Sequence, residues 1–161
     1  MFHARFSGMP KHRMSAEDRL DIFDLFARYA WSYDTGDAEG MAALFTEDGV
    51  MEGMDGRRFQ GRAAIAGFCR EFISGPRFRG TQHFNDHLRI DGDSRQCAVR
   101  SYWMSVRWDP DSDQRYIKAT GHYHSRCAKL DDTWYFRERI IRFWAGDKAP
   151  WAGGVPAYGQ P

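Results

Sequence analysis

The fold of this chain is decided by residues 80–90, which read GTQHFNDHLRI. From His83 onward, ring, apolar and polar side chains alternate, and the large apolar members are Phe84, Leu88 and Ile90. This alternation predicts a half-buried strand. Successive side chains of a strand point to opposite faces of the sheet, so His83 and Phe84 lie on different sides. The imidazole of His83 therefore faces either solvent or an enclosed cavity, and the functional interpretation depends on which.

The composition predicts one domain that binds neither nucleic acid nor membrane. A chain of 161 residues is long enough to bury a core. A net charge of +1 gives no basic field of the kind that nucleic-acid binding needs. No apolar run approaches the roughly 20 residues of a membrane span. Aromatic residues make up 16% of the chain, which suits a flat apolar ligand, a subunit interface or both.

The cysteines and the N-terminus predict a cytoplasmic location. Cys69, Cys97 and Cys127 are far apart and odd in number, which indicates reduced thiols rather than a disulfide framework. The first 13 residues are basic but contain no apolar segment, so they do not resemble a secretory signal.

Local signals predict helices in the first half of the chain. Ser15 and Asp18 have the spacing of a capping box, and an apolar stripe follows as far as Thr35–Gly36. We expect that stripe to comprise Leu20, Phe23, Ala27 and Ala30, with Ile22, Phe26, Tyr29 and Tyr33 alongside. Asp37 can cap a second helix over 38–45, and a third helix is predicted over 61–72. Asp55–Gly56 predicts a two-residue hairpin between them.

The second half of the chain predicts strands, at about 80–90, 96–108, 115–130 and 133–144. Helices followed by a long meander indicate the α+β class, with a curved antiparallel or mixed sheet wrapped around three N-terminal helices. A sheet curved in this way forms a cone, and the open mouth of the cone can bind a small molecule. We predict a flexible arm at 1–14, one domain at 15–146 and an irregular tail at 147–161.

Asp34 and His83 are the first candidates for chemistry. Asp34 falls at the closing turn of the first helix, where the negative end of the helix dipole disfavours a carboxylate without a partner. Paired with His83, it could orient an imidazole that takes up a proton. The alternative is structural, since Asp34 or Asp37 can simply cap the next helix and His83 can be a core histidine.

A metal site is not expected. In a regular strand, His122 and His124 lie on one face of the sheet and Ser125 lies on the other. Without a bulge, a pocket can therefore be lined either by the two histidines or by Ser125, but not by both. We favour Ser125 as the inward residue. No third ligand recurs at a useful spacing from the two histidines.

Five short segments carry a resemblance to a known family; they are residues 29–37, 43–49, 61–65, 80–84 and 121–125. The first three resemble the SnoaL-like group of the nuclear transport factor 2 superfamily. The last two are similar to scytalone dehydratase. This resemblance implies a cone-shaped α+β fold, also called cystatin-like, that assembles as a homodimer or homotrimer.

The resemblance also implies roles for individual residues. Asp34 and His83 match an aspartate–histidine pair in scytalone dehydratase and in a related dehydrochlorinase. Tyr33 matches a tyrosine that helps to hold a water on the substrate carbonyl, and Ser125 matches a pocket serine. Arg142 resembles an arginine of a bile-acid dehydratase and could bind a carbonyl or carboxylate oxygen.

The chain departs from scytalone dehydratase at two positions. Cys127 replaces an asparagine, and a second catalytic histidine is missing near Trp108, which makes scytalone itself a doubtful substrate. Trp103, Trp108 and Trp151 are further candidates for substrate binding, although tryptophans more often belong to a core or an interface. Trp151 lies on the predicted tail and could act as a lid.

Together these features predict a cofactor-independent lyase of the dehydratase type, or an isomerase, that acts on a small cyclic, aromatic or polyketide-like compound. His83 would remove a proton, Asp34 would orient its ring, and Tyr33 and Arg142 would polarise the oxygen where charge develops. One alternative is a non-catalytic binding or assembly module that resembles the small subunit of a ring-hydroxylating dioxygenase. Another is a cyclase or hydrolase that uses the same pocket.

Overall fold

In the computed structural model, residues 13–75, 78 and 80–145 are described, and they form three helices and six strands. The helices are α1 (Ala16–Thr35), α2 (Ala38–Ala43) and α3 (Arg62–Ile73). The strands are β1 (Phe45–Glu52), β2 (Arg58–Gln60), β3 (Thr81–Gly92), β4 (Gln96–Asp109), β5 (Gln114–Leu130) and β6 (Thr133–Phe143). Nearly all of the predicted arm and the whole tail, with Trp151, lie outside the described residues.

The strands form one mixed sheet in the order β2-β1-β6-β5-β4-β3. Neighbouring strands run antiparallel, except that β1 and β6 are parallel. The last four strands form the predicted meander, and each of their ends lies within two residues of the predicted end. The α+β class is therefore confirmed.

The turn and cap signals explain where the helices begin and end. Ser15 and Asp18 exchange the hydrogen bonds of a capping box, and Gly36 ends α1 at a left-handed φ of 81°. The Asp37 side chain accepts from the Gly40 amide at 2.8 Å and so caps α2. Helix α2 ends before Phe45, earlier than predicted, because Phe45 already pairs with β6.

The hairpin around Asp55–Gly56 is present, but its loop is longer than the predicted two residues. The last strand pair is Glu52 with Arg58, and the Gly53 amide donates to the Arg57 carbonyl at 2.9 Å. The loop therefore comprises residues 53–57.

Helix α1 buries only part of the predicted apolar stripe. The inward face carries Ile22, Leu25, Phe26, Tyr29 and Tyr33, all of which are buried. Leu20 and Phe23, which we expected in the stripe, are exposed. The rings of Phe26 and Tyr29 pack edge-on against Phe136 of β6, and this aromatic contact selects the buried face.

Irregularities in the strand pairing bend the sheet around α1. Strand β3 carries an extra residue between Asp86 and Arg89, β5 carries one at Lys118, and β6 carries one at Arg137. The pairing of β1 with β6 also shifts register, between Phe45 and Val50. In β3, His87 has a φ of 56°. Bulges increase the local twist and reverse which residues face inward. The curved sheet brings both β3 and β6 against α1.

The cysteines are free thiols, and all three are buried. Burial raises the pKa of the Cys69 thiol to about 12, which makes it a poor nucleophile at neutral pH. In the part of the chain that the structure describes, no helix is long and apolar enough to cross a membrane.

Asp18 ties the start of α1 to the far end of the meander. Its carboxylate accepts from Ser15, from Lys129 Nζ at 3.1 Å and from Trp134 Nε1 at 3.1 Å. Burial alone would raise the pKa of Asp18, but these hydrogen bonds outweigh burial and set the pKa at about 2. The ionised form therefore stabilises the fold.

We predict that Asp18→Asn lowers the free energy of unfolding at pH 7 by about 2 kcal/mol, measured by urea denaturation. The folded pKa lies below the unfolded value, so the wild-type contribution is complete above about pH 4 and is lost between pH 4 and 2. The free energy of unfolding of the variant should lack this loss between pH 4 and 2. Asp21→Asn, on the exposed face of the same helix, is the control. Equal stability of the two variants would contradict the assignment.

Candidate active site

The end of α1 and the start of β3 meet at Asp34 and His83. One carboxylate oxygen of Asp34 accepts from the backbone N–H of His83 at 2.7 Å, and the other lies 2.5 Å from His83 Nδ1. The His83 side chain is only 13% exposed, and the Asp34 side chain is 17% exposed. The His83 amide and ring thus supply the partner that a carboxylate at a helix C-terminus needs. Two contacts from one residue fix both the backbone and the ring of His83.

This contact decides which ring nitrogen of His83 is available. A neutral imidazole carries one proton, and a carboxylate beside Nδ1 favours that proton on Nδ1. Nε2 is then the nitrogen that can accept a proton. The ring is held further by Tyr33, which packs edge-on with 5.0 Å between ring centroids, and by Phe78, which stacks at 6.1 Å.

His83 lines a cavity of about 220 Å³ between the helices and the concave face of the sheet. We call this space the His83 cavity. Three polar groups, His83, Ser105 and Lys118, come from the neighbouring strands β3, β4 and β5. The rest of the wall is aromatic or aliphatic and consists of Tyr29, Tyr33, Met54, Phe72, Phe78, Trp103, Ala119, Tyr123, Ile141 and Phe143.

The tyrosines of this wall are protonated at neutral pH. Burial raises the pKa of Tyr29, Tyr33 and Tyr123 above the ordinary phenol value. A phenol that keeps its proton can donate a hydrogen bond but cannot act as a base. These tyrosines can therefore serve the cavity as hydrogen-bond donors.

Trp103 lies in the cavity wall, and the sequence explains why it fits there. It stands opposite Gly121 on β5. A Cβ atom at position 121 would come within 2.4 Å of the indole ring. Glycine is therefore required for the ring to lie flat across β5. The indole N–H donates to the Arg142 carbonyl at 3.2 Å, which fixes the ring orientation.

Trp108 lies in a second space, outside the His83 cavity. This outer groove has a volume of about 690 Å³, and its lining includes Trp31, Asp34, His83, Trp108 and Arg115. The Trp108 indole N–H donates to Asp113 at 2.8 Å. His83 lines both spaces, and the two tryptophan candidates belong to different ones: Trp103 lines the His83 cavity and Trp108 lines the outer groove.

Ser125 points into the interior but does not line the cavity. Its hydroxyl accepts from Arg139 Nη1 at 3.1 Å. Arg139 is fully buried, and its guanidinium carbon lies 3.9 Å and 3.7 Å from the ring centres of Tyr29 and Tyr123. Ring faces attract a cation, which offsets part of the cost of burying this charge. Ser125 thus anchors an arginine that sits behind the cavity wall.

Arg142 is not brought to the His83 cavity, in contrast to the expectation from sequence. The shift at Arg126/Cys127 places Arg139 inward and Arg142 outward on β6. The Arg142 guanidinium pairs with Glu52 on the outer face. Burial would raise the pKa of Glu52, but Arg142 and Arg58 outweigh it and lower that pKa. The arginine of β6 that faces the interior is Arg139.

Ser105, Lys118 and Phe78 were missed by the sequence interpretation. Ser105 pairs directly with His83 and continues the inward series Val99, Ser101 and Trp103 on β4, so the alternation contained its signal. Lys118 reaches the cavity because of the shift near Ser105, which no sequence pattern marks. Among the described residues, no group of three or more His, Cys, Asp and Glu side chains could hold a metal ion.

His122 and His124 face outward, and their ring centroids are 5.1 Å apart. Their position is the one expected if Ser125 points inward. Burial, with His124 and Arg142 nearby, lowers the pKa of His122 to about 4. Its Nδ1 has no hydrogen-bond partner among the described residues.

We predict that His122 remains neutral in the folded protein down to about pH 4. The unfolded chain binds this proton near pH 6.5, so stability falls by up to about 3 kcal/mol as the pH drops from 6.5 to 4. His122→Phe should remove this part of the pH dependence in urea denaturation series. His87→Gln, at an exposed position, should leave it unchanged. An NMR titration that gives His122 an ordinary histidine pKa would contradict the burial argument.

Comparisons with known proteins agree with this fold. The profile of the SnoaL-like domain matches residues 14–140. A protein of unknown function from Mycobacterium tuberculosis is 29% identical, with a TM-score of 0.70 over 79% of this chain and 72% of that one. An NTF2-like protein with a cystatin-like fold from Novosphingobium aromaticivorans is 25% identical, with a TM-score of 0.72 over 83% of this chain and 86% of that one.

A proposed scytalone dehydratase, also from Novosphingobium aromaticivorans, is 25% identical, with a TM-score of 0.69 over 90% of this chain and 95% of that one. None of the curated proteins matches this sequence. The profile match spans most of the chain and confirms the resemblance that the short sequence segments carry. The chain therefore belongs to the SnoaL-like domain family, with the cystatin-like α+β fold of NTF2-like proteins.

Proposed function

We propose that this protein is a cofactor-independent lyase of the dehydratase type, or an isomerase, that acts on a small cyclic compound. The observation that carries the proposal is the contact between Asp34 and His83 at the wall of a largely apolar cavity. The likeness to a proposed scytalone dehydratase supports the same reaction class. The proposed substrate is aromatic or polyketide-like, because most of the cavity wall consists of rings.

In the proposed elimination, Nε2 of His83 takes a proton from a carbon next to a carbonyl group. The electron pair of that C–H bond forms a carbon–carbon double bond, and the C–O bond to a hydroxyl on the next carbon breaks. The leaving hydroxide takes the proton from the imidazolium and departs as water. In an isomerisation, the imidazolium would instead return the proton to another carbon of the substrate.

Asp34 and Tyr33 assist this step in different ways. Asp34 holds the Nδ1–H tautomer and stabilises the imidazolium that forms when Nε2 is protonated. Tyr33 keeps its proton, so it can donate a hydrogen bond to the substrate carbonyl, directly or through a water, as charge develops there. The apolar wall excludes bulk water and strengthens both interactions.

A non-catalytic assembly module is the weaker hypothesis. This hypothesis predicts that side chains fill the cone and that His83 forms hydrogen bonds only with backbone groups. Here the His83 ring contacts a carboxylate and borders open space. A cyclase or hydrolase would need the same base and the same dry cavity, so product analysis has to separate these reactions. Assembly as a homodimer or homotrimer and a cytoplasmic location remain predictions.

The test is the conversion of 3-hydroxy-1-tetralone to 1-naphthol, followed by the fluorescence of the product. This two-ring β-hydroxy ketone loses water across the carbons next to its carbonyl and then tautomerises to the phenol. We expect wild-type protein to accelerate the reaction and His83→Gln to slow it by roughly a hundred- to ten-thousand-fold. Asp34→Asn should give an intermediate loss, because the base remains but its tautomer is no longer fixed.

His87→Gln is the matched control, since His87 lies on the same strand but is exposed. Circular dichroism of each variant verifies that the fold is intact. If His83→Gln turned over within a few-fold of wild type, the proposed mechanism would be wrong.

A further inference from the structure

The His83 cavity extends along the concave face of the sheet, with His83 and Met54 toward its opposite ends. Both side chains line the cavity. His83 is on the edge strand β3, whereas Met54 follows β1 in the loop 53–57. In the order β2-β1-β6-β5-β4-β3, four inter-strand spacings separate β1 from β3. At about 4.8 Å each, these spacings add up to roughly 19 Å along the curved sheet. The cavity therefore has a long axis that runs from the histidine to the methionine.

The pairing of β1 explains how Met54 reaches the cavity. Glu52, the last residue of β1, pairs with Ile140 of the parallel strand β6. Met54 is two residues further along and comes level with the end of β6, where Phe143 also lines the cavity. The Met54 side chain is half-buried and packs against the hydrophobic core. Met54 therefore closes the cavity at the end away from His83.

The volume of the cavity fits a small number of rings. An apolar cavity of about 150 Å³ holds one benzene molecule. The His83 cavity has a volume of about 220 Å³. This is enough for two fused six-membered rings but not for three. A third ring in line with the first two would overlap the Met54 side chain, so the length of a bound compound is limited at this end.

Met54 is also the part of the wall that can be changed without disturbing the site. Phe78, for comparison, contacts the rings of Tyr33 and His83 at centroid distances of 4.8 Å and 6.1 Å, so its replacement would loosen the histidine. The loop 53–57 is closed by a backbone hydrogen bond between its first and last residues. A methionine side chain is unbranched and adapts to its surroundings. Substitution of Met54 should therefore change the cavity length and leave the Asp34–His83 contact intact.

We infer that Met54 limits the substrate to two fused rings. This inference rests on the proposed function for the placement of the reacting carbon at His83. It adds a size limit that the proposed function leaves open, since polyketide-like compounds can have three or more rings. A substrate with its C–H bond at Nε2 of His83 extends along the long axis of the cavity, and its far ring contacts Met54.

The test compares the binding of 2-naphthol, which has two fused rings, with that of 2-anthrol, which has three in a line, by titration of ligand fluorescence. A third ring tightens binding to an unrestricted apolar site, because it buries more apolar surface. We expect wild-type protein to reverse this order and to bind 2-anthrol roughly tenfold more weakly than 2-naphthol.

Two substitutions of Met54 should move this ratio in opposite directions. Met54→Ala opens the far end and should tighten 2-anthrol binding by roughly tenfold, with a smaller effect on 2-naphthol. Met54→Trp fills the far end and should weaken 2-naphthol binding by roughly tenfold. Met104→Ala is the matched control, since Met104 lies on the outward face of β4 and does not line the cavity. Circular dichroism verifies the fold of each variant.

The inference is wrong if wild-type protein binds 2-naphthol no better than 2-anthrol. It is also wrong if Met54→Ala leaves the ratio unchanged, or if Met104→Ala changes the ratio as much. His83→Gln separates this inference from the proposed function. If that variant turns over normally while the ratio still depends on Met54, the mechanism fails and the size limit stands. If His83→Gln loses turnover while Met54→Ala keeps the wild-type ratio, the size limit fails and the mechanism stands.

Discussion

The contact between Asp34 and His83 is the constraint on which the rest of the site depends. It joins the last turn of α1 to the first residues of β3, two elements that are far apart in sequence. One carboxylate binds both the amide and the ring of His83, so the strand position and the imidazole orientation are fixed together. A carboxylate at a helix C-terminus is unfavourable by itself. The amide and the ring of His83 supply the contacts that stabilise this carboxylate.

The bulges of the sheet decide which other side chains join this pair. A regular strand would alternate without interruption, and each shift exchanges the inward and outward sets. The shift near Ser105 brings Lys118 into the cavity, and the shift at Arg126/Cys127 turns Arg139 inward and Arg142 outward. The same curvature wraps the strands around α1 and leaves a space lined mostly by aromatic rings. Fold and site therefore have a common origin in these irregularities.

Sequence patterns predicted the elements well because their signals are local. The capping box at Ser15, the glycine at 36 and the alternation from His83 onward each depend on a few neighbouring residues. Family resemblance favoured the pairing of Asp34 with His83, whereas spacing alone favoured a structural role for both residues. Arg142 was expected in the pocket because of the family resemblance, and the extra residue of β6 at Arg137 turns its side chain outward. Such a bulge leaves no mark in the composition, which is also why Lys118 was missed. Trp151 lies beyond the described residues.

The central claim is that Asp34 holds the His83 ring with its proton on Nδ1 and presents Nε2 to the cavity. Nitrogen-15 NMR of the imidazole side chains tests this most directly, because it distinguishes the two neutral tautomers of each histidine. We predict that His83 at neutral pH is the Nδ1–H tautomer, with a downfield proton that disappears in Asp34→Asn. A proton on Nε2, or a His83 signal that Asp34→Asn does not change, would contradict the account.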